Sequence, residues 1–243
     1  LLVTGPTGSG KTTTLYSLIA GMRGRALNIS TLEDPVEYQV EGVSQVSVRS
    51  GIGFTFARGL RALLRQDPDI ILVGEIRDSE TAAIAINASM TGHFILSTLH
   101  TNDAASAVAR LVNMEVDPYL ITVALRGVIA QRLVRRLCPD CRQPFTPAPA
   151  LAERLGLAVP APLFKPRGCR ACQFTGYRGR VGVYEMLVMS EEITDAIMER
   201  APVHVILERA RAAGFRDMLA LGVEKVLAGV TSPEELIRVT RGH

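Results

Sequence analysis

Tryptophan is absent from the sequence, and aromatic residues make up only 5% of it. Few side chains are therefore available on which nucleic-acid bases could stack. The formal net charge of +3 is also too small to indicate nucleic-acid binding by itself. The composition thus argues against a nucleic-acid-binding protein.

Long hydrophobic runs are missing as well. No apolar stretch approaches the ~18 residues that a membrane-crossing helix needs, and no secretory signal opens the chain. The first residue is Leu1 rather than an initiator methionine, and it lies inside an expected strand. We therefore expect a fragment whose N-terminal portion is not included. Its 243 residues are nevertheless enough for a substantial core, in one large or two modest domains.

A glycine-rich segment follows the apolar residues 1–4. It reads Gly5, Pro6, Thr7, Gly8, Ser9, Gly10, Lys11 and Thr12, the G-x-x-x-x-G-K-T pattern of a phosphate-binding loop. In such loops successive N–H groups converge on phosphate oxygens, and the next helix adds the positive end of its dipole. Lys11 would reach the β- and γ-phosphates, and the Thr12 hydroxyl would hold Mg²⁺. We predict that these residues and Thr13 bind ATP; a glycine-rich turn without nucleotide is the alternative.

Apolar runs typical of buried strands alternate with helical periodicity, which indicates βαβ units and a parallel sheet. The predicted strands are residues 27–32, 43–48 (in a hairpin or on an edge), 70–73 and 94–99. The predicted helices are residues 13–22 (ending around Gly21 and Gly24), 54–66, 79–90 capped by Ser79, and 117–137. A further helix, capped by Asn102 or Asp103, is predicted to end near Asn113. Beyond residue 182 we predict helical structure, with helices starting near Ser190, at residues 203–213 and 217–228, and after a capping box at residues 232–235. The predicted domains are residues 1–137 (core), 138–184 and 185–243.

Acidic residues follow two of the predicted strands. Phosphate-loop enzymes need a carboxylate near Mg²⁺ and a base that aims the attacking water. Glu75 follows one strand, but Gly74 stands where the usual pattern has aspartate. Glu75 would therefore act on metal or water alone, or share the task with Glu33. We predict Glu75, Glu33 and Lys11 as catalytic residues, and Glu75 also as a magnesium ligand.

Further polar residues lie near the same predicted edge. His100 ends a buried strand where α/β proteins bind ligands, and we predict that it senses or polarises the γ-phosphate. His93 has either that role or a structural one. Asp34 and Glu37 either hold the loop or contact Mg²⁺ through water. For all these acidic residues, solvated charges at strand ends are the alternative.

Arginines repeat along the helix predicted over residues 54–66. Arg58, Arg61 and Arg65 share one side of it, which is ordinary for a solvated face. Alternatively one or two of them, or Arg77 beside Glu75, reach a neighbouring subunit's nucleotide as arginine fingers.

The four cysteines form two C-x-x-C pairs, Cys138 with Cys141 and Cys169 with Cys172. In a cytosolic protein such pairs indicate a metal site rather than disulfides. Two thiolate pairs supply the closed tetrahedral set of sulfur ligands that zinc has in structural sites. We predict that these cysteines bind Zn²⁺ in a small subdomain, with free buried thiols as the alternative.

Four segments in this order resemble the Walker A, Asp box, Walker B and His box motifs of secretion traffic ATPases, the GspE/PilB-type motors of type II secretion and type IV pili. The segments are residues 5–12, 31–37, 64–78 and 92–102. The likeness continues at residues 130–135 and 179–185, so it covers essentially the whole chain. The family also has glycine at the position of Gly74. The resemblance implies an α/β fold, with a RecA-like P-loop NTPase core of mostly parallel sheet, a tetracysteine zinc subdomain and C-terminal helices.

The resemblance also implies a biological role. It implies a homo-hexamer in the cytoplasm, at the inner face of the bacterial inner membrane, that hydrolyses ATP with Mg²⁺. Hydrolysis would drive assembly of a pseudopilus or pilus through inner-membrane platform proteins. A missing N-terminal domain would pack over the nucleotide and contribute arginines. The zinc subdomain is similar to the secretion and pilus-extension branches, whereas retraction motors generally lack it. Residues 133–141 favour type II secretion over pilus extension.

Two functions of other classes compete with this interpretation. A nucleic-acid translocase would have the same core, but the modest charge and absent tryptophan argue against it. A zinc-stapled binding module with a vestigial nucleotide site is the other, and the presence of Lys11, Thr12, Glu33 and Glu75 argues against it.

Overall fold

The computed structural model describes residues 1–23, 26–157 and 161–240. By internal contacts the chain forms two compact units. The first unit comprises Leu1–Ala130 with Met186–Phe215, and the second comprises Gln131–Glu185 with Arg216–His243. The sequence-based division into three consecutive domains stays a prediction. The predicted helix stop at Gly24 lies outside the described residues.

The secondary structure alternates in the first half of the chain. The strands are β1 (Leu2–Thr4), β2 (Ile29–Glu33), β3 (Ser44–Ser47), β4 (Ile70–Val73), β5 (Phe94–Leu99), β6 (Gly127–Leu137), β7 (Gln143–Phe145), β8 (Leu163–Lys165) and β9 (Tyr177–Val188). The α-helices are α1 (Lys11–Met22), α2 (Phe56–Leu63), α3 (Ser79–Met90), α4 (Ala104–Asn113), α5 (Pro118–Ala124), α6 (Pro149–Arg154), α7 (Glu191–Met198), α8 (Val203–Ala212), α9 (Met218–Leu227) and α10 (Pro233–Thr240). Among the described residues, no helix has the length and apolar character needed to cross a membrane.

The main sheet has the strand order β3-β2-β4-β5-β1-β6-β9. Strand β1 pairs in parallel with β5 and β6, and β2 pairs in parallel with β3 and β4. Strand β4 also pairs in parallel with β5. The α/β class with a mostly parallel sheet is therefore confirmed. Strand β3 lies on the edge, so the edge alternative is correct and the hairpin alternative is wrong; β7 and β8 form a separate antiparallel pair.

The sheet and α1 share one apolar core. All four residues of β4 are buried, as expected of a parallel strand covered on both faces. From α1, Leu15 and Ile19 pack with Val3 of β1 and Leu72 of β4. Because burial of a leucine or isoleucine side chain stabilises a fold by about 1.5–3 kcal/mol, this contact fixes α1 against the strand that precedes it.

Side-chain caps fix where the helices begin. Asp103 and Asp117 accept backbone N–H bonds at the starts of α4 and α5, so of the two predicted caps of α4, Asn102 or Asp103, it is Asp103 that caps the helix. The predicted Ser79 cap of α3 is wrong, because the cap is Asp78, whose carboxylate accepts the Thr81 N–H. A capping side chain satisfies N–H groups that have no partner within the helix.

The long helix predicted over residues 117–137 is wrong. Helix α5 ends at Ala124, and β6 follows from Gly127. In β6, Val128 and Ala130 pair with Leu2 and Thr4 of β1. A continuous apolar run does not distinguish a buried strand from a buried helix, and here the backbone partners offered by β1 decide the outcome. Arg132, Arg135 and Arg136, which would have stood in the last turns of that helix, therefore lie on a strand.

The prediction of helix beyond residue 182 missed the end of β9. In this strand Val183, Glu185 and Leu187 are buried while Tyr184 and Met186 are exposed. A glutamate therefore faces inward and apolar side chains face outward, which hides the period-two pattern of a strand. The Glu185 carboxylate accepts the N–H of Met218, the first residue of α9.

In the second unit, a buried carboxylate joins two arginines. The Glu235 side chain is 1% exposed and binds Arg135 at 2.9 Å and Arg238 at 2.7 Å. The predicted capping box forms in part, since Glu235 N donates to Ser232 Oγ while the Glu235 carboxylate binds these arginines instead. Burial alone would raise the pKa of Glu235, but Arg238 and Arg135 outweigh it and lower the pKa to about 2.

This arrangement predicts a pH-dependent stability. A carboxyl with a lowered pKa stabilises the fold above its ordinary value of 4.5, and this stabilisation is lost as the pH falls through about 2. We expect Glu235→Gln to lower the free energy of unfolding by about 1–3 kcal/mol at pH 7, since charged hydrogen bonds are lost. Thermal unfolding at a series of pH values should show that the difference in stability between Glu235→Gln and wild type becomes smaller below pH 4.5. Glu234→Gln, on the exposed side of the same helical turn, is the matched control; equal stabilities of both variants would contradict the account.

Candidate functional site

The predicted site residues of the first unit follow four neighbouring parallel strands. The glycine-rich loop follows β1, Glu33 ends β2, Glu75 comes after β4 and His100 comes after β5. Because carboxyl ends of parallel strands meet at one edge of a sheet, these groups share that edge, where open α/β sheets bind ligands. His93 precedes β5 at the opposite end, and its Nδ1 lies 3.0 Å from Ala88 O. The structure therefore does not bring His93 to the site.

The glycine-rich loop has a backbone that needs glycine at two points. Gly8 and Gly10 have φ values of 77° and 89°, in the left-handed region that residues with a Cβ rarely adopt. Lys11 Nζ donates to Gly5 O at 2.8 Å and to Pro6 O at 3.2 Å. The lysine ammonium is thus held against the loop, at the start of α1.

A threonine that the sequence analysis did not single out ties this loop to β5. The Thr4 hydroxyl donates to Leu99 O at 3.0 Å and accepts the Thr101 N–H at 2.9 Å. Thr4 therefore links the last residue of β1 to the segment that contains His100. Its signal in the sequence is a buried polar residue at the end of an apolar strand.

Glu75 lies at the centre of a charged cluster. Its carboxylate binds Arg77 at 2.5 Å and lies 3.4 Å from His100 Nε2. Arg77 also reaches Asp34, at 3.7 Å. The structure thus brings together Glu75, His100 and Asp34, with Arg77, another candidate from the sequence, between the two acids. The Glu75 side chain is 17% exposed, so it remains accessible to water.

Arg77 stabilises the ionised form of Glu75. Arg77 donates a hydrogen bond to Glu75, and with the nearby His100 it lowers the pKa of the Glu75 carboxyl despite partial burial. Glu75 in turn raises the pKa of Arg77. Glu75 is therefore ionised at neutral pH, as a metal ligand or a proton acceptor must be.

Glu33 has a different environment. It is buried, at 4% exposure, and accepts hydrogen bonds from Thr31 Oγ1 at 2.6 Å, Gln45 Nε2 at 3.3 Å and the Tyr16 hydroxyl. Sequence analysis found Glu33 but not these donors. Tyr16 is hard to recognise because it occupies a buried position of α1 among apolar residues.

The remaining candidates lie on the surface. Arg58 and Arg61 are exposed on α2, and Arg65 is exposed in the turn that follows it. Arg61 binds Glu80 of α3 at 2.8 Å. Glu37 is exposed in the segment after β2. Action of any of these arginines on a neighbouring subunit stays a prediction.

Gly74 has a structural explanation. Its N–H donates to Leu32 O of β2, and its carbonyl accepts the Thr98 hydroxyl of β5, both at 2.7 Å. A Cβ on Gly74 would lie 3.2 Å from Leu32 O and 3.4 Å from Glu33 Cα. A side chain here would press against the backbone of β2, which would have to shift by a few tenths of an ångström. This close approach disfavours the first carboxylate of the usual motif at position 74.

The glycine-rich loop and the residues beside it have groups that suit a nucleotide with Mg²⁺. A Cβ at Gly8 would meet no atom within 4 Å, so the tip of the loop is open, while Thr12 presents an exposed hydroxyl. Backbone N–H groups and an ammonium suit phosphate oxygens, and hydroxyl and carboxylate oxygens suit Mg²⁺.

The second unit contains the cysteine cluster. The Sγ atoms of Cys138, Cys141, Cys169 and Cys172 all lie within 4.8 Å of one another. Three of the separations are 3.8–3.9 Å. Sulfurs around a tetrahedral zinc ion with Zn–S bonds of ~2.3 Å are separated by about 3.8 Å. The donor set therefore fits zinc in kind, number and spacing.

Backbone groups already favour thiolate at one of these positions. Burial alone would raise the pKa of Cys172, but the N–H groups of Cys169 and Gly176, both 3.2 Å from its sulfur, help to lower it to about 6. Such N–H donors orient ligands of a metal and support their charge.

Comparison with known proteins places the chain among secretion proteins. Residues 1–238 match the family model described as type II/IV secretion system protein. The chain is 51% identical over 241 residues to type II secretion system protein E of Pectobacterium carotovorum subsp. carotovorum, covering 99% of this chain and 48% of that protein. It is 46% identical over 245 residues to type II secretion system ATPase E of Vibrio cholerae, with coverages of 99% and 48%. The chain thus spans about half the length of these relatives.

Two solved structures of ATPases are similar to the chain over nearly its whole length. The Legionella pneumophila ATPase DotB is 25% identical with a TM-score of 0.71, over 100% of this chain and 60% of DotB. The pilus retraction motor PilT with bound ADP is 29% identical with a TM-score of 0.60, over 98% of this chain and 62% of PilT. The phosphate-loop fold expected from the sequence is therefore confirmed.

The close approach at Gly74 yields a testable prediction. Gly74→Ala should lower the free energy of unfolding by about 1–3 kcal/mol, because an extra carbon in a packed site forces neighbouring backbone to move. Gly74→Asp, which installs the missing carboxylate, should cost at least as much. Gly51→Ala, where the added Cβ meets nothing within 4 Å, is the control. Thermal unfolding measures all three, and wild-type stability of Gly74→Ala would contradict the explanation.

Proposed function

The chain belongs to the type II/IV secretion system protein family, and on that premise we propose that it is the ATP-hydrolysing part of a motor that powers protein export. The observation that carries this proposal is the convergence of the glycine-rich loop, Glu33, Glu75 and His100 at one edge of the sheet. An anion-binding loop beside acidic side chains is what hydrolysis of a nucleoside triphosphate requires.

Residues 5–13 would bind ATP. Loop N–H groups and the N-terminus of α1 contact the phosphates, and Lys11 exchanges the carbonyls of Gly5 and Pro6 for phosphate oxygens. Thr12 and Glu75 would hold Mg²⁺, which when bound offsets charge on the β- and γ-phosphates.

Glu75 is the group that aims the attacking water. Its ionised carboxylate accepts a proton of water as the oxygen attacks the γ-phosphorus, and the bond to the β–γ bridging oxygen breaks to give ADP and phosphate. Arg77 and His100 orient the Glu75 carboxylate through their contacts with it, and His100 would sense the γ-phosphate. Glu33 supplies the second negative charge, from the neighbouring strand.

Assembly and coupling belong to the proposal as well. We propose a cytoplasmic homo-hexamer at the inner face of the inner membrane, which drives pseudopilus assembly through platform proteins. Arginines such as Arg58, Arg61 or Arg65, or others from outside this chain, would act across subunits. The names of the relatives support type II secretion, and the chain is 51% identical to type II secretion system protein E. Pilus extension is the alternative function.

We also propose that the cysteine cluster binds one structural Zn²⁺. Four sulfur ligands close the coordination sphere, which leaves no open position for substrate. The ion would hold together the segments around Cys138 and Cys169.

Substitutions at the loop and at Glu75 test the activity. We expect Lys11→Ala to lower ATP hydrolysis by at least about 100-fold, as loss of a charge-stabilising donor does. Glu75→Ala should lower it by about 10²–10⁴-fold, as loss of a general base does, while nucleotide still binds. The assay uses full-length protein with its membrane partner, with light scattering to measure its oligomeric state. Glu208→Gln, at an exposed position on α8, is the control, and unchanged turnover in either Lys11→Ala or Glu75→Ala would refute the assignment.

Metal analysis tests the zinc proposal. Protein purified without chelators should contain one zinc ion per chain, and Cys169→Ser should contain less and unfold at a lower temperature, because metal binding is coupled to folding. Glu153→Gln, at an exposed position on α6 outside the cluster, serves as the control. Metal-free protein that is fully folded would rule the site out.

A further inference from the structure

Tyr16 is a polar residue within the apolar core of the first unit. It lies on α1, is 2% exposed and packs in the cluster that includes Leu15 and Ile19. Its hydroxyl donates a hydrogen bond to Glu33 Oε2. A buried hydroxyl needs a partner, and here the partner is a carboxylate of the proposed catalytic edge.

The Glu33 carboxylate is held by donors from three elements. Thr31 of β2 and Gln45 of β3 bind its Oε1 atom, and Tyr16 of α1 binds Oε2. Gln45 Nε2 also approaches the Tyr16 hydroxyl, at 3.4 Å. Of these donors, Tyr16 is the one carried by the helix that begins at the glycine-rich loop. It therefore connects Glu33 to the phosphate-binding residues.

The position of Tyr16 on α1 makes this connection short. Tyr16 follows Thr12 by four residues, so both lie on the same face, one turn apart. Long side chains in helices incline toward the N-terminus, which directs the tyrosine toward the turn that carries Lys11 and Thr12. Burial and the Glu33 carboxylate both raise the pKa of Tyr16, so its hydroxyl keeps the proton that it donates.

We propose that Tyr16 is a positioning residue for ATP hydrolysis, whose hydroxyl fixes the Glu33 carboxylate relative to the helix that carries Lys11 and Thr12. Any shift of α1 on nucleotide binding is then transmitted to Glu33 and to the segment that follows it, which contains Asp34. The inference rests on the proposed ATPase activity and adds to it a residue outside the recognised motifs. A purely structural role would need only the aromatic ring.

Removal of the hydroxyl alone separates the two roles. Tyr16→Phe keeps the ring in the core, and Glu33→Gln keeps an oxygen that the hydroxyl can still bind. Tyr38→Phe is the matched control, because Tyr38 packs edge-on against Tyr16 with centroids 4.7 Å apart and is itself 57% exposed. All variants are made in the full-length protein and assayed with its membrane partner.

We expect Tyr16→Phe to lower kcat about 10- to 100-fold, as loss of a group that orients a functional ligand does, with KM little changed. Because Tyr16 acts through Glu33, the double variant Tyr16→Phe/Glu33→Gln should be no slower than Glu33→Gln alone. Calorimetry with a non-hydrolysable ATP analogue should show that Tyr16→Phe still binds nucleotide. Tyr38→Phe should behave like wild type.

Three results would overturn the inference. They are a kcat of Tyr16→Phe equal to wild type, effects of the two substitutions that multiply in the double variant, and loss of nucleotide binding, which would assign Tyr16 a structural role. These results leave the proposed ATPase activity standing, provided that wild type hydrolyses ATP and Lys11→Ala does not. Absence of hydrolysis by wild type would instead overturn the proposed function, and the inference with it.

Discussion

Parallel hydrogen-bond ladders join β1, β5, β4 and β2 in that spatial order. Since all four run in one direction, every loop that follows them emerges at the same edge. This constraint brings together residues almost a hundred positions apart, such as Thr4 and Thr101. The loop at β1 supplies positive groups, and the loops at β2 and β4 supply negative ones. The strand order therefore places positive and negative groups side by side, as a charged ligand with its counter-ion requires.

The two catalytic candidates at this edge are stabilised in different ways. Glu75 is partly exposed and balanced by Arg77 and His100, so water can reach it. Glu33 is buried among neutral donors that bind both of its oxygens. Hydrogen bonds to both oxygens fix the orientation of the Glu33 carboxylate, whereas Glu75 is held by charged partners and remains accessible to water. The structure thus combines one buried acid with one partly exposed acid.

Sequence patterns predicted the elements that carry this edge, because each motif stands directly after a continuous apolar strand or before an N-cap such as Asp103. They failed at β6, where burial on both faces removes periodicity, and at β9, where Glu185 faces inward and Met186 outward. The motif residues of the site were found, but Tyr16 was not, because its partner Glu33 is seventeen positions away and only the fold makes them neighbours. The spacing of the cysteines predicted that the four would form a cluster. The distances between their sulfur atoms could be known only from the folded second unit, which brings the two pairs together.

The central claim is that the loop over residues 5–13 binds the phosphates of a nucleotide together with Mg²⁺. Isothermal titration calorimetry of the full-length protein with a non-hydrolysable ATP analogue tests it most directly, with and without Mg²⁺. The account predicts saturable binding that weakens when Mg²⁺ is withheld. A folded protein that shows no affinity for the analogue with Mg²⁺ would contradict it.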